Sequence, residues 1–291
     1  MVDLSGTWIK PDDLDIVASV HEAVIREFGK KALQYTDTAG APEPREELRK
    51  LLMRLGFTKH EVFFTVSLAD SLRILADVHL DEGDCILPED PTQREVIIYA
   101  KCGKPKAVYI QPFWRNPDGY IYQAGELKKA ADSAPLAIYD LTYGLLEGEV
   151  PYVPEMAVAV GALDVLFPGL QLAFVAVPQS LAQYYLNKIE AAYLHPPTYM
   201  QYLFYAVINT GAAYAILKML KRRQEVVRER LEAATTPYFA WTRRGKTIFL
   251  KHGALPGSEF SWRGRFGEYV RLGLTSATEE ELADFLSEIP L

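Results

Sequence analysis

A chain of 291 residues, 49% hydrophobic and 24% charged, can bury a sizeable core in one large or two modest domains. Its net charge of −7 disfavours non-specific nucleic-acid binding. Its longest apolar candidate for a membrane span, 157–177, is broken by Asp164, Pro168 and Gln171. The opening, MVDLSGTWIKPDD, lacks a basic region followed by an apolar stretch, so a cytoplasmic protein with no membrane partner is expected. Two cysteines, Cys85 and Cys102, are too few for a disulfide framework and read as reduced, buried thiols. The five histidines show no metal-ligand spacing, so no metal site is read.

In chain order, Leu14, Val17, Val20, Val24 and Ile25 recur at helical spacing and predict a helix over 14–28. A turn-rich link, YTDTAGAPEP, precedes an amphipathic helix at 45–55 that ends at Gly56. Strands are expected at 61–66, 84–88, 107–110, 136–140, 156–160 and 172–177, with helices at 68–78 and 126–131. Strands alternating with helices imply crossover units and a mainly parallel sheet covered on both faces. After Pro178 the pattern changes. A helical region at 199–233 leads to two or three strands among PYFAWT, TIFLKH and YVRLGL and a last helix at 278–289, where Thr278 and Glu281 fit a capping box. The expected architecture is α/β: a three-layer large domain over 36–190, with a smaller α+β domain made of 1–35 and 191–291.

Several segments carry more than a helix or strand pattern. They are GDCILPEDPTQREVI, YIQPFWRNPDG, IYDLTYGLL, GALDVLFPGLQLAF, PGSEF and YVRLGL, in that order. Their residues and sequence resemble the motifs of class I/II aminotransferases, the fold type I transferases that depend on pyridoxal phosphate. The similarity extends over about 230 residues, and it is the order of the motifs rather than any one of them that carries it. It implies the fold above, a homodimer with sites near its interface, and pyridoxal phosphate as cofactor. By the same resemblance Asp140 lies where an aspartate pairs with the pyridine nitrogen. Tyr143 and Asn116 lie where a hydroxyl and an amide meet the ring's phenolic oxygen. Arg271 lies where a guanidinium binds a substrate carboxylate, the bidentate geometry arginine suits best. Each also has a plainer reading: Asp140 as a cap, Asn116 as part of an Asn-Pro-Asp-Gly turn, Arg271 as the partner of an internal carboxylate.

The other half of the motif set departs from the family. GALDVLFPGLQLAF should carry the lysine that binds the cofactor, and Asp164 or Val165 stands there instead. A carboxylate forms no imine, so the resting Schiff base is lost. Gln171 replaces the arginine that faces the phosphate, and Gln93 replaces a tyrosine. In the loop that should cradle the anion at a helix N-terminus, Ser67 and Leu68 stand in the motif and Asp70 adds a negative charge.

Three functions follow as expectations. The first is a protein of aminotransferase type that has lost lysine-dependent catalysis and serves a binding, regulatory or assembly role, with a small anionic or amino-acid ligand. The second is an active aminotransferase moving an amino group between an amino acid and a 2-oxo acid. The third is a lysine-free enzyme that holds the aminated cofactor and uses Asp164 as base. Residues 1–190 hold 18 basic and 28 acidic residues, and 191–291 hold 13 and 10. The later cluster Arg243, Arg244, Lys246, Lys251, Arg263 and Arg265 reads as a solvated face.

Overall fold

The computed structural model describes residues 2–100, 104–231 and 233–289. Helix α1 (Asp15–Phe28) buries Val17, Val20 and Val24, its apolar stripe. Helix α2 (Pro42–Arg54) begins on a proline, where the missing N–H costs nothing, and buries Leu48, Leu51 and Leu52. Strand β1 (His60–Thr65) leads to α3 (Leu68–His79), which Ser67 caps by accepting from the Asp70 N–H at 3.1 Å. Next come β2 (Asp84–Pro88), β3 (Lys104–Ile110), α4 (Ala124–Ala131), β4 (Leu136–Asp140), β5 (Val158–Ala162) and β6 (Ala173–Pro178). The remainder is α5 (Ala182–Tyr193), α6 (Thr198–Asn209), α7 (Ala212–Arg230), β7 (Ala234–Thr235), β8 (Phe239–Thr242), α8 (Lys246–Lys251), β9 (Leu255–Pro256), β10 (Val270–Gly273) and α9 (Glu279–Glu288).

Among the described residues the larger sheet has the order β1-β6-β5-β4-β3-β2. The pairs β2–β3, β3–β4 and β4–β5 are parallel, and β6 is antiparallel to both β5 and β1. Strand β1 therefore runs with β2–β5, and the sheet is mainly parallel. Alternation along the strands sends side chains to two cores. Val62, Phe64, Val108, Tyr139 and Ala159 join α1, α2, α4 and α6 on one face. Phe63, Tyr109, Ile138, Val160 and Val175 join α3 and α5 on the other. This is the expected three-layer α/β arrangement. A second, antiparallel sheet, β7-β8-β10-β9, packs with α9 and the end of α7 around Phe249, Val270, Leu272 and Leu282. The division at 36–190 stays an expectation; α1 and α6 share one core with the larger sheet.

Three local expectations are corrected. The helical region 199–233 is two helices bent by 68°, because Gly211 takes φ 80° between them. TIFLKH is the helix α8 and not a strand. Its unbroken apolar run fits either state, and Gly245 at φ 65° turns the chain into a helix that buries Phe249. Cys85 is disulfide-bonded and not a reduced thiol; its burial near the start of edge strand β2 is compatible with either state, so sequence had no means to choose. Cys102 lies outside the described residues. The capping box at Thr278 is present as expected. No single described helix is long and apolar enough to cross a membrane.

Candidate functional site

The parallel strands deliver their carboxyl ends to one side of the sheet, where an open α/β sheet gathers its ligand groups. Asp140 is the last residue of β4 and is 3% exposed. Its Oδ1 accepts from the Thr142 N–H at 2.8 Å, and its Oδ2 accepts from the Tyr109 hydroxyl of β3 at 2.5 Å. Burial raises its pKa, and these hydrogen bonds pull the other way. Burial, followed by the Asp140 charge, drives the Tyr109 hydroxyl far above its ordinary range, so it stays a donor.

Asn116 and Tyr143 lie beside each other. The Asn116 Nδ2 lies 3.5 Å from the Tyr143 hydroxyl, and that hydroxyl lies 3.4 Å from Thr7 Oγ1. Burial pushes Tyr143 up to about 12. Asn116 is held from behind: its N–H donates to Gln111 Oε1 at 3.1 Å. The Gln111 N–H in turn donates to Glu89 Oε2 at 2.8 Å. Glu89 also accepts from Arg115 at 3.0 Å and from the Tyr122 hydroxyl at 2.5 Å, and burial raises its pKa to about 7.

Arg271 stands on β10, in the smaller sheet, and is 5% exposed. Its Nη2 donates to the Ser5 carbonyl at 2.8 Å, and its guanidinium lies over the Phe260 ring at 5.3 Å. Its Nε has no partner, and among the described residues no carboxylate pairs with it. Burial lowers its pKa, opposed by the nearby Tyr143.

A cavity of about 310 Å³ separates these groups; Asn116, Tyr143 and Arg271 line it together with Gln93, Glu95 and Trp8. Asp140 does not line it. In the turn 94–99, which supplies Glu95 to the cavity, Val96 is fully buried in the same core as Tyr109, Leu68 and Leu72. Asp164 sits in the loop after β5. It is exposed as a whole residue, yet desolvation of its carboxyl, with the Glu95 charge behind it, raises its pKa. Gln171 is exposed at φ 40°. Asp70 points its charge at Arg73, 2.7 Å away, and accepts from Tyr193 at 2.6 Å, so it is already paired on the flank of α3. No lysine lines the cavity.

The sequence reading missed Glu95, Tyr109 and the Ser5–Thr7 segment. REVIIY carries no alternation that marks Glu95 as cleft-facing. Tyr109 reads as one more core aromatic of a buried strand. The N-terminal segment reaches the site because Gly273 and Gly6 lie face to face, where a side chain on Gly273 would strike the Gly6 carbonyl.

No protein-family model matches the chain. An uncharacterized aminotransferase of Saccharolobus solfataricus is 24% identical, over 86% of this chain and 76% of that protein. A 2-aminoadipate transaminase of Thermus thermophilus is 25% identical, over 72% of this chain and 62% of its own length, so the chain spans less than two thirds of that relative. The chain is an aminotransferase-like protein. A kynurenine aminotransferase of Pyrococcus horikoshii superposes on it with a TM-score of 0.81, at 19% identity, covering 98% of this chain and 89% of the other. The aminotransferase-like protein thus has the fold type I architecture.

Proposed function

We propose that this aminotransferase-like protein has lost lysine-dependent cofactor chemistry and acts as a binding, regulatory or assembly component whose cleft holds a small carboxylate ligand. The observation that carries the proposal is Arg271: a buried guanidinium with an unpartnered Nε, no internal carboxylate, and a cavity beside it. An isolated buried charge is costly, and an anionic ligand is the group that would balance it. Asn116 and Tyr143, taken as ligand contacts, complete the wall.

Pyridoxal phosphate, the cofactor implied by the resemblance, does not fit these residues. It supplies an electron sink once bound as an imine, which needs an amine, and the position offers Asp164 or Val165. Each oxygen of Asp140 accepts one hydrogen bond, from Thr142 and Tyr109, and Asp140 does not line the cavity beside Arg271. At the N-terminus of α3 one N–H is taken by Ser67, and Gln171 brings no charge. Mixing the protein with pyridoxal phosphate should give no imine absorbance band and no borohydride-reducible adduct. Either one sinks the proposal.

The second reading, an active aminotransferase, is favoured by what the two sequence relatives are called and by the persistence of the Asn116–Tyr143 pair. Amino-group transfer to any of a panel of 2-oxo acids in the presence of added pyridoxal phosphate is the outcome that establishes it. A homodimer and a cytoplasmic location belong to the same proposal. Leu33 and Tyr35, largely exposed beside Tyr199, support a subunit contact, and sedimentation equilibrium tests it.

A further inference from the structure

A cavity of about 460 Å³ opens between α2 and the first residues of edge strand β1. Because β1 runs with β2–β5, its start lies at the amino ends of the parallel strands, the opposite end of the sheet from the cleft. His60 lines this cavity and is 7% exposed. Its Nε2 lies 2.9 Å from the Ala157 carbonyl, which can only accept, so that nitrogen carries the ring hydrogen. Phe57 packs edge-on against the imidazole, ring centres 5.1 Å apart, and fixes its orientation. Burial lowers the pKa of His60, the Ala157 bond opposing, so at neutral pH the ring is uncharged and Nδ1 is an acceptor. Among the described residues no donor meets Nδ1. Buried polar atoms are almost always paired, and this one is an exception that faces a cavity wall.

The rest of the wall carries both signs of charge in balance. Arg45 and Arg49, four residues apart on α2, share a face. Glu46 holds Arg49 through both carboxylate oxygens, at 2.7 and 2.8 Å. Glu61 of β1 supplies the second carboxylate and Gln179 an amide. Two guanidiniums and two carboxylates leave no net charge. An anion entering here meets Glu46 and Glu61, and a cation meets Arg45 and Arg49. An apolar molecule leaves His60 Nδ1 without a donor. A hydroxyl donates to one neighbour and accepts from another, so several hydroxyls on one small ring suit a wall that mixes donors with acceptors. Pro42 and Val62 offer apolar surface to the C–H face of such a ring. The volume lies within the range of about 300–1,000 Å³ typical of small-molecule pockets. We propose that this cavity is a second ligand site, taking a neutral polyhydroxyl compound of monosaccharide size, one hydroxyl of which donates to His60 Nδ1. The site is separate from the cleft and stands whether or not the carboxylate reading of the cleft holds.

Nitrogen NMR of the full chain with isotope-labelled histidine rings tests it, using D-glucose, myo-inositol, glucose 6-phosphate and glucosamine. The His60 signal is the one missing from the His60→Gln variant. Its Nδ1 resonance should move as glucose or myo-inositol is added, and the neutral compound should bind more tightly than the phosphate or the amine. His60→Gln keeps an amide N–H for the Ala157 carbonyl and removes Nδ1. Calorimetric titration of that variant should show binding weakened at least tenfold, with circular dichroism confirming its fold. Should the variant not fold, the Nδ1 shift in the unmodified chain decides alone. No shift with either neutral compound overturns the site, since solvent alone then answers Nδ1. Equal or tighter binding of glucose 6-phosphate or glucosamine also overturns it, because the wall then reads charge. A folded variant that binds as the unmodified chain does removes His60 from the site and overturns the proposal as well.

Discussion

The two halves of the cleft have opposite characters. At the ends of β3 and β4, Asp140 and Tyr109 are buried and bonded to each other, and Asp140 does not line the cavity beside Arg271. Around the cavity, Arg271 of the smaller sheet meets Glu95, Asn116 and Tyr143 from the connections after β2, β3 and β4, and polar atoms of Arg271 and Asn116 lack partners. On the function proposed above, one fold loses the apparatus for reacting with an amino group while keeping the groups that bind a charged molecule. Charge placement at a rim survives substitutions that a covalent site does not, because binding needs complementary sign and reach, whereas imine formation needs an amine at one position.

The largest effect expected to sharpen this contrast concerns the support behind the open half. Glu89 holds Gln111, which holds Asn116. Burial raises Glu89 from 4.5 to about 7, so the folded state keeps a proton that the unfolded state releases. The associated stability is fully present below pH 4.5 and is lost as pH rises through about 7. At about 1.4 kcal/mol per pKa unit the fall is about 3 kcal/mol. Urea unfolding across that window should show it, and Glu89→Gln should flatten it. An unchanged slope in the variant assigns the titration elsewhere.

A smaller effect probes the packed half. Tyr109→Phe removes a donor from the buried Asp140 carboxyl and should cost about 2 kcal/mol in urea unfolding. A change within about 0.5 kcal/mol, the range of ordinary surface substitutions, would mean that Asp140 has solvent to turn to and that the half is open after all. The smallest expected effect is none. Asp164→Lys combined with Gln171→Arg restores an amine and a cation but leaves the Ser67–Asp70 loop unchanged, so pyridoxal phosphate should still give no imine band. A band there breaks the comparison.

Much of the fold was legible from local rules. Strands β2 and β4 fall at 84–88 and 136–140 as their apolar runs predict, and the cap at Thr278 is set by two residues three apart. The antiparallel course of β6 was not legible, because strand direction depends on pairing partners and not on the strand's own residues. Helix α5 was passed over, since AQYYLNKIEAAY buries only Tyr185 and Ile189 and shows a weak stripe. In the site, Asn116, Tyr143 and Arg271 could be placed by motif order. That order also placed Asp140, but only the packing shows that Tyr109 takes up its Oδ2. Glu95 was invisible because it acts from a short turn, where periodicity carries no information.

The contacts across the cleft mouth carry one more consequence. Arg94 reaches Glu259 and Arg265 reaches Asp90, each linking the segment after β2 to the segment between β9 and β10. Arg94 and Glu259 are both about half exposed, so dissolved ions reach that pair, whereas Asp90, the partner of Arg265, is buried. Counter-ions at about 0.1 M screen charges beyond about 10 Å and weaken exposed pairs further as salt rises. The backbone bond from the Thr92 N–H to the Phe260 carbonyl, at 2.9 Å, is far less sensitive to salt. Raising ionic strength should therefore loosen the Arg94–Glu259 link first, leaving the two segments tied by the Thr92–Phe260 backbone bond and the Arg265–Asp90 pair.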